Sequence, residues 1–415
     1  MRLRGCWAVC LALAWLSAWG QVSKPGMGMV TGHVICQDMQ RPARFAQVMI
    51  FSVPASTVTA GNVDAADPKS IKTFNQTMNE AMNSASFVLT ETGYDGSFVV
   101  EDVAPGDYYV MASVAGYVQP RNLVQAAVDA GEDITKGIPG VPMVHVSADR
   151  SVSVDVAVSR GAAIEGNVTW DDGAPVSAAI VNVEPKSGDH KPLPAQFTFV
   201  SMSGMSVGNT DDRGHYRISG LAPGEYIVRA MLQTNRRMSM QRGHFNPNAN
   251  IGAMPLLVYA PGGFRKTDAK PLTLTTGEEH PDEDITFNLN ATHTVSGRVT
   301  SAEDQHGLNR GVVTLIDSGD NTFRRSGGLD QDGTFTIMFV PSGTYTMSVS
   351  NAADTVAEPA KDPQPGALVT MDQVRAVRSY RKADRRLMVS DGDVTGQNIE
   401  LQPEKVQPDA GDEGR

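Results

Sequence analysis

Apolar and polar residues alternate in short stretches along the chain, and turns rich in glycine or proline separate these stretches. Clear examples are Val30–Ile35, Ile164–Thr169 and Val295–Thr300. Alternation with a period of two predicts strands with one buried face. Many short strands between such turns predict an all-β fold built from antiparallel β-sandwiches.

Three stretches share one cassette: a glycine turn, an aromatic residue, a second glycine-containing turn and a tyrosine. In each, the second glycine lies ten residues after the first glycine, and the tyrosine lies twelve residues after the first glycine. A fixed spacing with varied filling predicts a repeated structural unit that reads as turn, strand, turn and strand. The cassettes run from Asp95 to Tyr108, from Arg213 to Tyr226 and from Asp332 to Tyr345.

The repeats predict three tandem modules, each about 130 residues long, which is an ordinary domain size. We expect modules at 28–160, 161–290 and 291–401, preceded by a signal peptide at 1–20 and followed by a disordered tail at 402–415. Residues 119–148, 232–256 and 352–386 have the composition of loops. The helical spacing of Ile71, Phe74 and Met78 predicts a short helix within 68–85 of the first module. That helix would cover an open sheet edge, gate a ligand or bind a partner.

The N-terminus resembles a secretory signal, with Arg2 and Arg4 before an apolar run of about ten residues, short for a membrane span. Cleavage before Gln21 would place the chain outside the cytoplasm, in the periplasm, on the cell surface or in the medium. An uncleaved N-terminal anchor is the alternative. Cleavage would leave Cys36 as a single cysteine, which excludes an intramolecular disulfide.

Charge narrows the class of partner. The formal net charge is −11, and loss of the two leader arginines takes it to −13, which argues against nucleic-acid binding. No second apolar segment of membrane-spanning length follows the leader. A basic cluster at 375–386 stands out on this acidic chain. It is either a solvated helical face or a docking site for an acidic partner or polysaccharide.

The opening V-x-G-x-V strands, the D-G-x-F turns and the P-G-x-Y turns together resemble the carboxypeptidase regulatory-like domain. The resemblance covers most of 28–401 and is best in the second module; in the third, Pro341 stands one place early. It implies a transthyretin-like (prealbumin-type) sandwich of about seven strands, grouped with carbohydrate-binding-like folds. It also implies a non-catalytic module that often accompanies peptidases or surface proteins.

Several motifs match catalytic or metal-binding patterns only in part. Ser206 lies in a G-x-S-x-G stretch that lacks the expected βα context. His280 and Glu283 have a zinc-ligand spacing without a third ligand. The aspartates at 211–212, 330 and 332 resemble fragments of calcium loops, but ordinary turn chemistry explains them. A soft copper site is the weak alternative to flexible filler for Met202, Met205, Met238, Met240 and His244. We therefore predict no catalytic residue, metal or cofactor.

Aromatic residues are the remaining candidates for ligand contact. We expect Tyr108, Tyr226 and Tyr345 to be structural, each with a buried ring and a hydroxyl bonded to the backbone. Trp170, beside two aspartates, is then the best candidate for stacking on a sugar, although a core or edge-covering role is the more common one for tryptophan.

The sequence thus favours a non-enzymatic, exported array of sandwiches that acts as a scaffold or interaction protein of the cell envelope, with an envelope protein or polysaccharide as partner. The alternative is a carbohydrate-binding protein that recognises envelope or environmental polysaccharide. The identity of the ligand and the oligomeric state do not follow from the sequence.

Overall fold

The protein is described by a computed structural model that covers residues 25–54, 76, 87–186, 193, 197, 207–232, 240–241, 244–245, 255–358 and 373–404. Short strands dominate these residues and form several sheets, which confirms the predicted all-β class. The chain divides into two compact units. The first contains residues 1–162, 189–205 and 220–222, and the second contains the remainder.

The first unit is a two-sheet sandwich around an apolar core. One sheet has the order β2-β1-β5 with β8 also paired to β1, and the other has the order β4-β3-β6-β7. Valines dominate the core, since β-branched side chains fit the pleated, half-buried surface of a strand. The strands are β1 Gly28–Cys36, β2 Arg41–Pro42, β3 Gln47–Ser52, β4 Phe87–Glu91, β5 Ser97–Val103, β6 Gly106–Ser113, β7 Met143–Val146 and β8 Ser151–Val158.

A helix covers the outer face of the second sheet in this unit. Strands β3 and β6 are buried on both faces, as their uninterrupted buried runs indicate. Helix α1 (Pro120–Ala130) packs there through Val124 and Ala127, within a second core that also contains Phe51 and Tyr109. The Tyr109 hydroxyl donates a hydrogen bond to the carbonyl of Ile134 at 2.7 Å.

The second unit begins with strands β9 to β19 and continues with β20 to β27. Its sheets have the orders β11-β10-β13-β16 with β17 on β13, β12-β9-β18 with β19 on β9, β23-β20-β27, and β22-β21-β24-β25 with β26 on β24, beside a small β14-β15 hairpin. The earlier strands are β9 Ala162–Trp170, β10 Ile180–Pro185, β11 Val207–Asn209, β12 His215–Leu221, β13 Gly224–Leu232, β14 Met240–Gln241, β15 His244–Phe245, β16 Leu256–Tyr259, β17 Leu272–Leu274, β18 Glu279–His280 and β19 Ile285–Phe287. The later ones are β20 Thr292–Ser301, β21 Arg310–Asp317, β22 Arg324–Gly328, β23 Thr334–Pro341, β24 Gly343–Glu358, β25 Gln373–Ser379, β26 Ala383–Val389 and β27 Val394–Leu401.

The structure confirms that each cassette is a turn, a strand, a turn and a strand. The paired strands are β5 and β6, β12 and β13, and β23 and β24. The first turn of each cassette needs a left-handed backbone conformation, which glycine adopts without strain. Its φ is +79° at Gly96, +78° at Gly214 and +83° at Gly333.

The opening and closing strands differ from the antiparallel expectation. β8 pairs with β1 in parallel, β18 and β19 pair with β9 in parallel, and β27 pairs with β20 in parallel. In each case the chain forms strands of the opposite sheet between the two paired strands. This crossover allows the last strand to run in the same direction as the first. Alternation of apolar residues does not encode strand direction, and this is why the sequence did not predict the mixed sheets.

The glycine of the V-x-G-x-V motif has a physical reason in this pairing. A Cβ atom at Gly32, Gly166 or Gly297 would overlap a carbonyl oxygen, belonging to Val154, Glu283 and Gln397 respectively. The segment that returns beside each opening strand therefore approaches its backbone too closely for any side chain.

Three predicted loops contain regular structure. Helix α1 and strand β7 lie within 119–148, strands β14 and β15 lie within 232–256, and β24 to β26 occupy the described part of 352–386. The helix predicted at 68–85 falls outside the described residues except for Gln76, which is helical. The signal peptide at 1–20 and residues 405–415 of the predicted tail also lie outside them.

Candidate functional site

The cassette tyrosines are structural, as predicted. The rings of Tyr108, Tyr226 and Tyr345 are all buried. The Tyr108 hydroxyl donates to the carbonyl of Ala104 at 2.9 Å, and the Tyr345 hydroxyl donates to the carbonyl of Pro341 at 2.6 Å. Each bond spans four residues and holds the second cassette turn against the strand that follows it. Burial raises the pKa of Tyr345 to about 12, so the hydroxyl stays protonated.

The cassette aspartates stabilise turns. Oδ1 of Asp95 accepts hydrogen bonds from the N–H and hydroxyl of Ser97, and Oδ1 of Asp332 accepts the same pair from Thr334. Oδ1 of Asp211 accepts from the N–H groups of Arg213 and His215. These bonds lower the pKa of all three carboxyl groups. Turn hydrogen bonds therefore engage Asp211 and Asp332, two of the four aspartates that resembled fragments of calcium loops.

His280 and Glu283 lie together at the end of β18. The Nε2 atom of His280 is 3.4 Å from Oε2 of Glu283, and its Nδ1 atom is 3.7 Å from Oε1 of Glu278. Burial raises the pKa of Glu283. The backbone carbonyl of Glu283 accepts a hydrogen bond from Tyr216 at 2.6 Å, which ties this segment to the second cassette. Among the described residues, no three side chains of the metal-binding types converge on one point.

Other candidates lie partly outside the described residues. Ser206, Met202, Met205 and Met238 belong to this group. The backbone of Met240 pairs with Phe245 across the β14-β15 hairpin, which also carries His244. These positions stay predictions.

Trp170 ends strand β9 and is half-buried. Its ring lies 5.6 Å from that of Phe287 on the adjacent strand β19, with the two planes tilted by 56°. The backbone of Trp170 closes a tight turn, accepting from the N–H of Gly173 and donating to the carbonyl of Ala174. The indole therefore packs against the sheet on one side and keeps part of its surface in solvent.

The second unit contains a partly buried ion pair that no sequence pattern predicts. Arg265, between β16 and β17, donates from Nε and Nη2 to Oδ2 of Asp317 at 2.8 and 2.6 Å. Its Nη2 also donates to the carbonyl of Ser342 at 2.9 Å and lies 3.2 Å from the Tyr345 hydroxyl. Nearby, the N–H of Lys266 donates to Asp320 at 2.8 Å. These bonds join the β16–β17 connection to the end of β21 and to the third cassette.

The electrostatic environment of this ion pair favours the charged forms of Arg265 and Asp317. Burial has the largest single effect and opposes ionisation of Arg265, but the hydrogen bond to Asp317 and the charges around the guanidinium together outweigh it, and the pKa of Arg265 is raised. Burial likewise opposes ionisation of Asp317, but Arg265 and two backbone N–H groups lower its pKa overall. Another arginine of the second unit, Arg325, is buried and donates to the carbonyls of Pro255 and Met338 at 2.8 and 3.1 Å. Burial lowers its pKa to about 10.

Four of the six cationic residues of the basic cluster lie on strands β25 and β26, and the other two, Arg381 and Lys382, lie in the short connection between these strands. Strand β25 and strand β26 both pair with β24, on the side away from β21. Its cationic side chains are exposed, and they are Arg375, Arg378, Arg381, Lys382, Arg385 and Arg386. We call this surface the basic edge.

Comparison with known proteins adds structural similarities of low score. No protein-family model matches the chain, and no curated protein matches it. An alignment with the Bacillus anthracis TIE protein covers 91% of this chain and 51% of that protein, with 10% identity and a TM-score of 0.19. The chain thus spans about half of the length of that protein.

Two solved pilins are also similar. A streptococcal ancillary pilin aligns over 91% of this chain and 99% of its own, with 9% identity and a TM-score of 0.26. The minor pilin GBS52 of Streptococcus agalactiae aligns over 63% and 94%, with 14% identity and a TM-score of 0.27. Scores this low carry no argument about function, and the resemblance to carboxypeptidase regulatory-like domains stays a prediction.

Within the described residues, no helix is long and apolar enough to cross a membrane.

Proposed function

We propose that this chain is a non-catalytic, exported scaffold or interaction protein of the cell envelope, built from three tandem sandwich modules of the carboxypeptidase regulatory-like type. The observation that carries the proposal is the ion pair between Arg265 and Asp317. The side chain of Asp317 is only 5% exposed and that of Arg265 is 21% exposed, so the pair is shielded from water. A scaffold needs its modules held in a defined arrangement, and a shielded, multiply bonded contact supplies this.

The cassette geometry supports the same proposal. Its tyrosine and aspartate side chains are engaged in bonds that hold turns and strands. Repeated side chains used in this way build a framework, and loops and strand edges are then left for contact with partners.

The test is chemical cross-linking of the mature chain, from Gln21 onward, in an envelope fraction. We expect defined complexes with particular envelope proteins, cross-linked at reproducible positions. A serine-reactive probe run in parallel should leave Ser206 unlabelled. Labelling of Ser206, or a complete lack of cross-linked partners, would contradict the proposal.

Glycan recognition through Trp170 is the second candidate, because part of the indole surface remains open to solvent. A glycan array combined with tryptophan fluorescence tests it, since Trp170 is the only tryptophan beyond the predicted leader. Quenching by a glycan, abolished in W170A, would favour this function. An unchanged spectrum with every glycan would exclude it.

A further inference from the structure

The basic edge combines a strand edge that has no neighbouring strand among the described residues with positive charge that is only partly compensated. Within the described residues, β25 and β26 pair with β24 alone along their lengths, and no strand lies on their outer side. An open edge of this kind presents backbone N–H and C=O groups in a row, which an incoming strand can pair with.

The charge of this edge is only partly neutralised. Arg378 forms an ion pair with Glu303 at 2.8 Å, and Lys382 forms one with Asp384 at 3.3 Å. No carboxylate in the described part of the chain lies within ion-pair distance of Arg381, Arg385 or Arg386. On a chain with a net charge of −11, three free arginines within six residues make a local surface that complements an acidic partner.

The chain itself places a short segment against this edge. Tyr380 donates its N–H to Ala352 on the β24 side. Its neighbour Arg381 donates to the carbonyl of Gln402 at 3.0 Å, and the N–H of Glu404 donates to the carbonyl of Ser379 at 2.8 Å. Backbone groups of successive residues point to opposite sides of a strand, so Gln402–Glu404 lie on the outer side. The bridge between Tyr380 and Pro403 is antiparallel. The edge therefore already accepts an antiparallel backbone at one point.

Exposed apolar side chains lie among the arginines. Val377 on β25 is 52% exposed and Met388 on β26 is 70% exposed. An extended peptide would pair its backbone with the edge, place acidic side chains by the arginines and set apolar ones on these two residues. A polyanionic glycan would use the arginines alone. The combination favours a peptide.

We propose that the basic edge, centred on β26, binds an extended acidic segment of a partner protein by strand addition. This inference rests on the proposed function and names the chemistry of the partner. Strand addition supplies affinity through the backbone ladder, and Arg381, Arg385 and Arg386 supply selectivity for acidic sequences.

The test uses the full mature chain and a fluorescent peptide of alternating Glu and Val, roughly ten residues long to match a long strand. Fluorescence anisotropy should show saturable binding that weakens as salt is raised. Reversal of the three arginines (R381E, R385E and R386E together) should weaken binding about tenfold or more, because three ion pairs become repulsive contacts. The matched control reverses Arg41, Arg150 and Arg213, which are exposed elsewhere. It changes net charge equally and should leave binding nearly unchanged.

Strand addition has its own signature. Two further peptides carry N-methyl groups on alternate residues, in the two possible phases. Only one side of an added strand faces β26, so one phase should lose binding and the other should keep it. Circular dichroism and the melting temperature of each variant verify that the charge reversals leave the fold intact.

Several outcomes would overturn the proposal. They are equal binding of both methylated phases, equal loss in the control variant, absence of peptide binding, and binding of a polyuronate oligosaccharide in preference to the peptide. Binding seen only after removal of residues 405–415 would assign the edge to the chain's own tail. If the three-arginine variant still captured the same envelope proteins in the cross-linking test, this inference would fail while the proposed function stood.

Discussion

Arg265 and Asp317 are 52 residues apart in sequence, yet Nη2 of the arginine lies 2.6 Å from Oδ2 of the aspartate in a site with little access to water. The same guanidinium contacts the carbonyl of Ser342 and the hydroxyl of Tyr345. The third cassette and the connection after β16 are thus held by one cation. Loss of Arg265 would leave the buried carboxylate of Asp317 without its cation, and loss of Asp317 would leave the partly buried guanidinium with only uncharged partners.

We expect D317A to lower the free energy of unfolding of the second unit by about 2 kcal/mol, because the partly buried guanidinium of Arg265 loses hydrogen bonds to a charged group. Chemical denaturation followed by circular dichroism measures the change. Because both residues serve one contact, R265A combined with D317A should cost less than the sum of the single changes.

The control is the exposed ion pair of Lys136 and Asp133 in the first unit, in which Nζ of the lysine is 2.7 Å from Oδ2 of the aspartate. K136A should be nearly neutral for the free energy of unfolding, because water screens a surface ion pair. Similar losses in the free energy of unfolding of D317A and K136A would show that the Arg265–Asp317 ion pair contributes no more than a surface contact.

Local chemistry explains which elements were predictable. The cassette turns depend on neighbouring residues, such as Gly333 with positive φ and Asp332 bonded to Thr334, so their sequence pattern suffices. The tyrosine bond to a carbonyl four residues earlier is local in the same way. Three copies of one spacing made the prediction strong.

Helix α1 lies in a segment predicted to be a loop, although its sequence contains two helix signals. Proline occupies its first turn, and Gly131 ends it with a φ of +81°, a typical terminal pair. Val124 and Ala127 are buried at helical spacing. The segment lacks a side chain that caps its N-terminus, and its first turn has no acidic residue, so the usual start signal is weak.

The sequence did not predict the contacts between residues that are far apart in the chain. Strands β25 and β26 are rich in arginine because they lie at an edge, whereas buried strands show clear alternation. Arg265 does not differ from an ordinary surface residue until its distant neighbours are known. A single sequence contains no record of which residues meet across such distances.

The buried hydroxyl of Tyr345 offers a second test. Y345F should lower the free energy of unfolding by about 1 to 2 kcal/mol, because the carbonyl of Pro341 and the guanidinium of Arg265 lose a partner together. Y108F should have a smaller effect on the first unit. Chemical denaturation of both variants measures the difference. Y94F is the control, since Tyr94 is 67% exposed, and it should be nearly neutral. Equal effects of Y94F and Y345F would contradict the structural role of the cassette tyrosine.

Close backbone approach at Gly297 leads to a third prediction. G297A would place a methyl group against the carbonyl oxygen of Gln397, so β20 and β27 would have to separate. We expect a loss of about 1 to 3 kcal/mol in the free energy of unfolding, typical of overpacking. Gly392, in the β26–β27 connection, has open space around it. G392A should therefore be neutral or slightly stabilising. Thermal melting of the two variants gives the comparison, and equal melting temperatures would refute the steric explanation.

His306 provides a pH-dependent contact at the opposite end of β21 from Asp317. Its Nε2 atom is 2.9 Å from Oδ1 of Asp354, its Nδ1 atom contacts Asp304, and the Tyr380 hydroxyl donates to Asp354 at 2.7 Å. The hydrogen bonds to Asp354 and then Asp304 raise the pKa of the imidazole above 6.5. A raised pKa in the folded state means that the stabilisation is complete below the unfolded pKa and is lost as pH rises through the folded one.

The free energy of unfolding of the native chain should therefore fall more than that of H306Q between about pH 5.5 and pH 8.5, the range in which histidine titrates. The difference should stay below about 1 kcal/mol, because the site is partly exposed and screened. D354N removes the partner that raises the pKa most and should flatten the pH dependence in the same way, while its side-chain oxygen still accepts from Tyr380. Urea denaturation at several pH values measures all three proteins. An unchanged pH dependence in H306Q and D354N would show that this histidine does not couple protonation to folding.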